Sequence, residues 1–302
     1  MINPFLKLFR LHLNLAELSA SMLLLRPKGQ LITKTKKIKY GNTRKSVCDY
    51  IYPKEHTTKM PIMVYIHGGG WISGYRSVRK YYCYEYAEKG FFVVNIDYDY
   101  APDKKHPYQI NQILSVIDTL YDKKEELNIN FEKLILAGDS AGAYLASMVA
   151  GIINCKPIEG ISPDIKHIGD YKVKAFLSMC GAFSATDAVN SPLLPMRIFL
   201  KSYTGLNRKQ LRIIANTKKY DLQNIINDNF PRTFIIKALN DKLMVESDNF
   251  ERLLTELNVQ FDSFLATGLL SFHCFPLMCK TTMGRECLQL SIETIKKYIQ
   301  MS

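Results

Sequence analysis

The segment KLILAGDSAGAYL (residues 133–145) contains the most informative pattern of the chain. Its apolar run predicts a buried strand over 133–138, and a helical stretch follows from 141. Between the two lies Ser140 in the pattern G-x-S-x-G, in which a tight strand-to-helix turn projects the serine hydroxyl from the backbone. The helix N-terminus also brings amides and a positive dipole to that hydroxyl, where negative charge would develop. The segment therefore predicts a nucleophilic serine.

Short apolar runs alternate with amphipathic stretches of helical length on both sides of this segment. Strands are predicted over 32–40, 46–52, 61–67, 91–98, 133–138, 173–180, 233–239 and 259–266. Helices are predicted near 77–89, 108–127, 141–154, 245–257 and 282–300. This alternation predicts an α/β fold with a mostly parallel sheet of about eight strands and helices on both faces. The turn between the first two strands is short and polar, so they should form an antiparallel hairpin.

A chain of 302 residues is long enough to bury one large core, and we predict a single domain over 1–302. The roughly fifty residues 182–231 separate two predicted strands, which is too long for a plain connection, so they should form an inserted helical cap. Residues 1–30 carry apolar side chains at helical spacing, but charges interrupt them before the roughly 18 apolar residues of a membrane span. We expect a helical segment packed on the domain, with a position on a membrane surface as the minority alternative.

The composition is that of an ordinary globular protein, with 47% hydrophobic and 23% charged residues. The net charge of +12 comes with lysines spread along the chain and without a nucleic-acid motif, so a solvated surface is expected rather than a nucleic-acid interface. The seven cysteines form neither a CxxC pair nor a zinc-like grouping, and the N-terminus fits a secretory signal poorly. We therefore expect reduced thiols in a cytoplasmic protein, with no metal site and no stable membrane insertion.

A second motif, HGGGW (67–71), follows an apolar predicted strand. Glycines allow the backbone to turn its amide hydrogens toward an oxyanion, which side chains with a Cβ would obstruct. We assign the oxyanion hole to amides within Gly68, Gly69 and Gly70, chiefly the last two. The amide of Ala141, directly after the nucleophile, completes it.

A serine nucleophile needs a base, and only two histidines, His167 and His273, follow Ser140 in the chain. His67 opens the glycine loop, and we interpret it as a structural anchor because it precedes the nucleophile and no acid is placed to orient it. His167 lies in a polar loop and is expected to be an exposed side chain. His273 follows the last predicted strand, which is where the base belongs. We therefore predict His273 as the base for Ser140.

The acid that orients the base should end the preceding strand. Asp241 does so, in TFIIKALND, and a helix begins shortly after it. A carboxylate there can hold the imidazole in the correct tautomer and stabilise the imidazolium that forms during catalysis. Glu246 and Asp248 are nearby rivals, but both fall within the following helix. The predicted order Ser140, Asp241, His273 is the order of α/β-hydrolases.

With these residues in place, the chain resembles the hormone-sensitive-lipase-like branch of α/β-hydrolase esterases. The segments that carry the resemblance are HGGGW, NIDYDYAPDKKHPYQ (95–109), GDSAG, ALND and HCF, in that order. The resemblance covers about 60–300 and implies the α/β-hydrolase fold and cleavage of short-chain esters through an acyl-serine intermediate. It implies a small-molecule ester as substrate and neither a metal nor another cofactor. A homo-oligomer stays open.

Three positions depart from the pattern of that branch. Asp99 stands where an arginine is usual, so any ion pair made by that arginine is absent. Tyr144 lies in Ala-Tyr-Leu where Gly-Asn-Leu is usual, which predicts a narrower pocket or changed hydrogen bonding. Lys242 replaces a common proline. Since none of these removes a member of the triad, they concern the substrate more than the activity.

Two other functions stay open at this point. An arylformamidase would use the same triad on N-formylkynurenine, and HGGGW also satisfies the HGGxW pattern of similar enzymes. A ligand receptor on the same scaffold, like the gibberellin receptors, would resemble this branch but lack the catalytic histidine. Because Ser140, Asp241 and His273 are all present, we predict an enzyme, a serine carboxylesterase acting on acetyl-like esters.

Overall fold

The computed structural model describes residues 8, 10–15, 33–56, 58–162, 164–190, 194–217 and 220–300. Residues 10–15 are helical, while most of the predicted helical segment 1–30 lies outside the described residues. Of the helices that the structure describes, none combines the length and the apolar character that a membrane crossing requires.

Eight strands form one sheet whose order along the sheet is β1-β2-β4-β3-β5-β6-β7-β8. Their bounds are β1 Thr33–Lys39, β2 Val47–Pro53, β3 Met60–Ile66, β4 Phe92–Ile96, β5 Ile129–Asp139, β6 Val173–Met179, β7 Arg232–Ala238 and β8 Phe261–Ala266. The pairs β1–β2 and β2–β4 are antiparallel, and the other five pairs are parallel. The predicted α/β architecture, the mostly parallel sheet and the initial hairpin are confirmed.

Helices cover both faces of this sheet. Their bounds are α1 Arg76–Glu88, α2 Tyr108–Asp122, α3 Ala141–Asn154, α4 Ala185–Asn190, α5 Leu194–Thr204, α6 Arg208–Thr217, α7 Met244–Glu256 and α8 Thr282–Gln300. Within β3, Ile62 and Val64 belong to the core shared with α2 and α3, whereas Met63 and Tyr65 belong to the core shared with α1 and α8. Successive side chains of a strand point to opposite faces, so a strand covered on both sides is apolar throughout.

Helices α4, α5 and α6 occupy the described part of the predicted cap, between β6 and β7. They share a small apolar cluster of their own, which includes Ala188, Leu200 and Leu211. The cap region thus has an internal core in addition to its contacts with the sheet. In helix α5, the ring of Phe199 lies against Gly70 in the loop that follows β3.

Two element boundaries differ from the predictions by more than two residues. Helix α2 ends at Asp122 rather than near 127, because the charged run 123–126 gives the helix no apolar side chain to bury against the sheet. Strand β5 begins at Ile129 rather than 133, since its first residues pair with the start of β3 before the register shifts at Pro61 and Ile62. Neither change moves a predicted site residue.

Candidate active site

Ser140 lies in a backbone conformation that few residues other than glycine adopt. Its φ is 53° and its ψ −121°, and its amide donates to the Met179 carbonyl at the end of β6, at 2.9 Å. The two glycines of the motif explain how so sharp a turn is possible. A Cβ on Gly142 would lie 2.1 Å from the Ile66 carbonyl oxygen, and one on Gly138 would lie 2.5 Å from the carbonyl carbon of Gly142. Strand, turn and helix therefore pack more closely than side chains would allow.

Asp139, the residue before the nucleophile, is fully buried and carries a buried ion pair. Arg79 of α1 donates to its two carboxylate oxygens at 3.2 and 2.8 Å, and the Tyr65 hydroxyl donates at 3.1 Å. Burial alone would raise the pKa of Asp139, but the Arg79 guanidinium holds it below the usual value. The ionised carboxylate thus attaches the nucleophile turn to α1.

The glycine loop lies directly against the nucleophile turn. A Cβ on Gly68 would be 3.0 Å from the Cβ of Ser140, so the two backbones are neighbours. Gly69 and Gly70 have φ values of 116° and 59°, which favour glycine at both positions. A Cβ on Gly70 would also lie 2.8 Å from the ring of Phe199, which comes from helix α5. The loop is therefore covered by the cap region.

His67 anchors this loop, as the sequence predicts. The side chain is fully buried, its Nδ1 lies 2.7 Å from the Gly68 carbonyl oxygen, and its ring stacks on Tyr98 at 4.4 Å. The expectation that no acid faces His67 was wrong, because Asp97 Oδ1 lies 3.5 Å from its Nε2. Burial nevertheless lowers the pKa of His67, which favours the neutral ring of a structural residue.

Asp241 and His273 contact each other directly. His273 Nδ1 lies 2.8 Å from Asp241 Oδ2, and the other carboxylate oxygen accepts the Leu243 amide at 2.9 Å. Burial alone would raise the pKa of Asp241, but the bond with His273 lowers it below the usual value. Partial burial of the ring likewise disfavours the imidazolium, and the bond with Asp241 outweighs this effect and raises the pKa of His273 to about 9. The pair is arranged to stabilise a protonated imidazole.

The two rival acids are engaged elsewhere. Glu246 is buried and accepts the amides of Phe183 and Ser184 at 2.9 and 3.0 Å, at the start of the cap region. Burial raises its pKa to about 7. Asp248 forms an ion pair with Lys237 at 2.7 Å.

The nucleophile turn and the histidine loop meet beyond the ends of β5, β6 and β7. Cys274, next to His273, places its Sγ 3.9 Å from Asp139 Oδ2, next to Ser140. The Cys274 amide also donates to the Sγ of Cys180, which directly follows β6, at 3.4 Å. The predicted nucleophile, acid and base therefore share one edge of the sheet with the glycine loop.

The cysteines in this region form a grouping that the sequence reading missed. One ligand atom from each of Cys180, His273 and Cys274 lies within 4.8 Å of the other two. Cys180 lies more than ninety positions before His273 and Cys274, so no spacing pattern could indicate the grouping. All seven cysteines of the protein are free thiols in the structure.

His167 is partly buried rather than exposed. Its two ring nitrogens lie 2.8 Å from carboxylate oxygens of Asp122 and Asp170. The bond with Asp170 raises the pKa of His167, and the bond with Asp122 adds to the shift. These contacts link α2 to the loop before β6, away from the nucleophile turn.

Comparison with known proteins was made against this geometry. The BD-FAE family model matches residues 48–257, which is well over half of the chain. The chain belongs to the BD-FAE family. It is similar to a protein of Acanthamoeba polyphaga mimivirus described as an alpha/beta hydrolase, with 24% identity over 82% of this chain and 71% of that protein.

Other relatives of this BD-FAE family member are named esterases. It is 31% identical to an acetyl esterase of Salmonella schwarzengrund over 51% of this chain, and the match spans only 43% of that protein. Among solved structures, esterase B of Lactobacillus rhamnosis gives a TM-score of 0.85 at 18% identity, covering 98% of this chain and 96% of that one. An esterase of Pyrobaculum calidifontis gives 0.74 at 20% identity, covering 97% and 92%. The chain is an α/β-hydrolase of the hormone-sensitive-lipase-like type, and this places it among the hydrolase enzymes.

The three departures from the branch have clear structural surroundings in this BD-FAE chain. Asp99 accepts hydrogen bonds from neutral donors, Thr43 and Gln112, at 2.6 and 2.7 Å, in place of an ion pair. Tyr144 packs edge-on against Trp71 of the glycine motif at 5.4 Å, so it narrows the space between α3 and that loop. Lys242 is exposed.

Proposed function

We propose that this protein is a serine carboxylesterase that hydrolyses short-chain esters with Ser140 as nucleophile, His273 as base and Asp241 as orienting acid. The observation that supports it most is the 2.8 Å contact between His273 and Asp241, at the same edge of the sheet as the left-handed turn of Ser140. A serine, a base and an acid in this relation are the requirement for acyl transfer to a hydroxyl.

In this mechanism the Ser140 hydroxyl attacks the acyl carbon while His273 takes its proton. The oxyanion that forms is bound by amides of Gly69, Gly70 and Ala141, and the imidazolium is stabilised by Asp241. His273 then returns the proton to the leaving alcohol, so an acyl-serine remains. Water, activated by His273, attacks the acyl-serine and releases the carboxylic acid and the free hydroxyl.

The raised pKa of His273 has a consequence for the reaction. The imidazolium that forms in the transition state is stabilised, whereas only the neutral ring can accept the proton from Ser140. The fraction of neutral ring grows as the pH rises toward the pKa of about 9. We therefore expect kcat/KM to increase from neutral to mildly alkaline pH.

Short acyl groups are favoured by the aromatic side chains around the glycine loop. The ring of Phe199 lies over Gly70, and Tyr144 and Tyr203 pack on Trp71, with Tyr203 stacked at 4.8 Å. These rings limit the space next to the proposed oxyanion hole. The names of the relatives, which include acetyl esterases, agree with a small acyl group. The same names also favour an ester substrate over the formamide of N-formylkynurenine, the substrate of an arylformamidase.

The test is hydrolysis of p-nitrophenyl esters from acetate to decanoate by the wild-type protein and by Ser140→Ala. We expect the highest kcat/KM for acetate to butyrate and a loss of at least about 10⁴-fold in the variant. Ser147→Ala is the matched control, since Ser147 lies in helix α3, which follows Ser140, and its hydroxyl donates to the Tyr144 carbonyl. Equal activity of the two serine variants would refute the proposal.

A further inference from the structure

Two cysteines and the proposed catalytic histidine converge on one point beyond strand β6. Cys180 and Cys274 both adopt left-handed backbone conformations, with φ values of 49° and 57°. Such values are uncommon for residues other than glycine, and here they bring the two side chains toward each other. The Sγ atoms and one ring nitrogen of His273 lie within 4.8 Å of one another.

This set of donors matches the preferences of a thiophilic divalent cation. Zn²⁺ binds cysteine sulfur at about 2.3 Å and histidine nitrogen at about 2.0–2.1 Å, in a tetrahedron. Donor atoms in such a tetrahedron stand about 3.4–3.8 Å apart. The separations here are at most 4.8 Å, so side-chain rotations of about 1 Å at the donor atoms suffice.

The charges around the three residues also favour a cation. Asp139 Oδ2 lies 3.9 Å from the Sγ of Cys274, and Asp241 contacts His273 at 2.8 Å. Arg79 is the opposing positive charge, and it is already bound to both oxygens of Asp139. When the His273 imidazole is neutral, as a metal ligand must be, two carboxylates against one paired guanidinium leave the surroundings net negative.

We propose that Cys180, His273 and Cys274 form an inhibitory binding site for a thiophilic divalent cation such as Zn²⁺. His273 has two partners in the proposed mechanism, Asp241 at Nδ1 and the serine proton at Nε2. A cation bound to either nitrogen removes one of them, so the bound protein is inactive. The inhibitory effect rests on the proposed function, whereas cation binding itself does not.

Among the residues that the structure describes, three donors come together at this point, so the site differs from a structural zinc centre with four protein ligands. The fourth position is open to water or to the carboxylate of Asp139. Affinity should accordingly be lower than that of a four-thiolate site, and a chelator should remove the cation. Reversibility is what distinguishes an inhibitory site from a cation required by the fold.

Binding is measured by calorimetric titration of ZnCl₂ into the Ser140→Ala protein, which retains all three ligands and cannot turn over. We expect one site per chain. The double variant Cys180→Ser/Cys274→Ser should lose this site, whereas the control Cys155→Ser/Cys279→Ser, in which two other partly buried thiols are replaced, should keep it. Cys274→Ser alone, together with a melting curve, guards against a double variant that fails to fold.

Inhibition is measured on the proteins that retain Ser140, with p-nitrophenyl acetate and with EDTA added afterwards. Zn²⁺ should reduce wild-type activity at least tenfold, and EDTA should restore it. The same addition of Zn²⁺ should reduce the activity of Cys180→Ser/Cys274→Ser less than twofold. Unchanged Zn²⁺ binding in that double variant, or no binding to the Ser140→Ala protein, would overturn the site. Binding that depends on the cysteines in a protein without esterase activity would keep the site and reject the proposed function.

Discussion

The proposed nucleophile and the proposed acid–base pair are held in place by different means. Ser140 sits in a turn that backbone packing fixes, with Gly138 and Gly142 too close to their neighbours to accept a Cβ. His273 lies in a loop where its own side chain is 38% exposed and Leu269 is 96% exposed, and its ring is held by the hydrogen bond with Asp241. The serine is therefore positioned by the fold, and the imidazole by one carboxylate.

This difference explains which half of the site a single side-chain change should affect most. Close backbone contacts are made by many atoms, so changing one side chain leaves the turn in place. The orientation of a half-exposed ring depends on one hydrogen bond, and removal of that bond frees the ring to rotate. Four substitutions test this comparison, and their expected effects on activity decrease in the order in which they are given.

Asp241→Asn should reduce kcat by about 10⁴-fold. Because the Leu243 amide holds the side-chain oxygen, the NH₂ group faces His273 Nδ1 and donates to it, which selects the wrong tautomer of the base. Steady-state hydrolysis of p-nitrophenyl acetate measures the loss. Asp248→Asn is the matched control in the following helix and should change kcat by less than twofold, since its partner is Lys237. Similar losses in both variants would remove Asp241 from its assigned role.

Gly70→Ala should reduce kcat by about 10²-fold with the protein still folded. The added Cβ would meet the ring of Phe199 at 2.8 Å and displace an amide of the proposed oxyanion hole. Gly90→Ala is the control for backbone strain, because Gly90 has a φ of 96° and open space around it. It should lower the melting temperature without lowering kcat, and a kcat loss equal to that of Gly70→Ala would count against the oxyanion hole.

The extent to which the sequence predicts this site follows the same division. The nucleophile turn and the glycine loop depend on neighbouring residues, so GDSAG and HGGGW indicate them locally. The eight strands were also predictable, because strands covered on both faces are continuous apolar runs. The acid and the base could be placed only by their order after the last strands, since the contact between them is made in three dimensions.

Contacts between distant segments account for what the sequence did not indicate. The approach of Asp97 to His67 depends on the pairing of β3 with β4, and the cluster of Cys180, His273 and Cys274 depends on two loops meeting above the sheet. Neither has a spacing signature. The early end of helix α2 is different in kind, because the polar residues 123–128 could have indicated it.

Phe199→Ala should change acyl preference, since the ring covers Gly70 on the nucleophile side of the site. Removing it opens space next to the proposed oxyanion hole, and we expect the ratio of kcat/KM for octanoate to that for acetate to rise about tenfold. Ile213→Ala, which removes an exposed apolar side chain from helix α6, should leave the ratio unchanged. If the octanoate-to-acetate ratio of kcat/KM does not change in Phe199→Ala, the acyl chain extends from Ser140 in a direction away from Phe199.

Glu246→Gln should alter stability with pH and have the smallest effect on activity. Burial raises the pKa of Glu246 to about 7 from an ordinary value near 4.5, so the folded state keeps a proton that the unfolded state releases. The corresponding stabilisation is present below about pH 4.5 and is lost as the pH rises through 7.

Denaturant unfolding at pH 5 and pH 7.5 measures this difference. The free energy of unfolding of the wild type should fall relative to that of Glu246→Gln by roughly 2 kcal/mol between the two pH values. Glu256→Gln changes an exposed residue of the same helix and should show no such dependence. If the free energy of unfolding changes equally with pH in the wild type and in Glu246→Gln, the raised pKa of Glu246 is contradicted.

The central claim is that Ser140 is an activated nucleophile, and covalent labelling tests it most directly. The wild-type protein is treated with a fluorophosphonate probe, digested and analysed by mass spectrometry, with Ser140→Ala and His273→Ala alongside. We expect one adduct, on Ser140, that is absent from the first variant and forms far more slowly in the second. Lack of an adduct on the wild-type protein, or an adduct that persists in Ser140→Ala, would contradict the account.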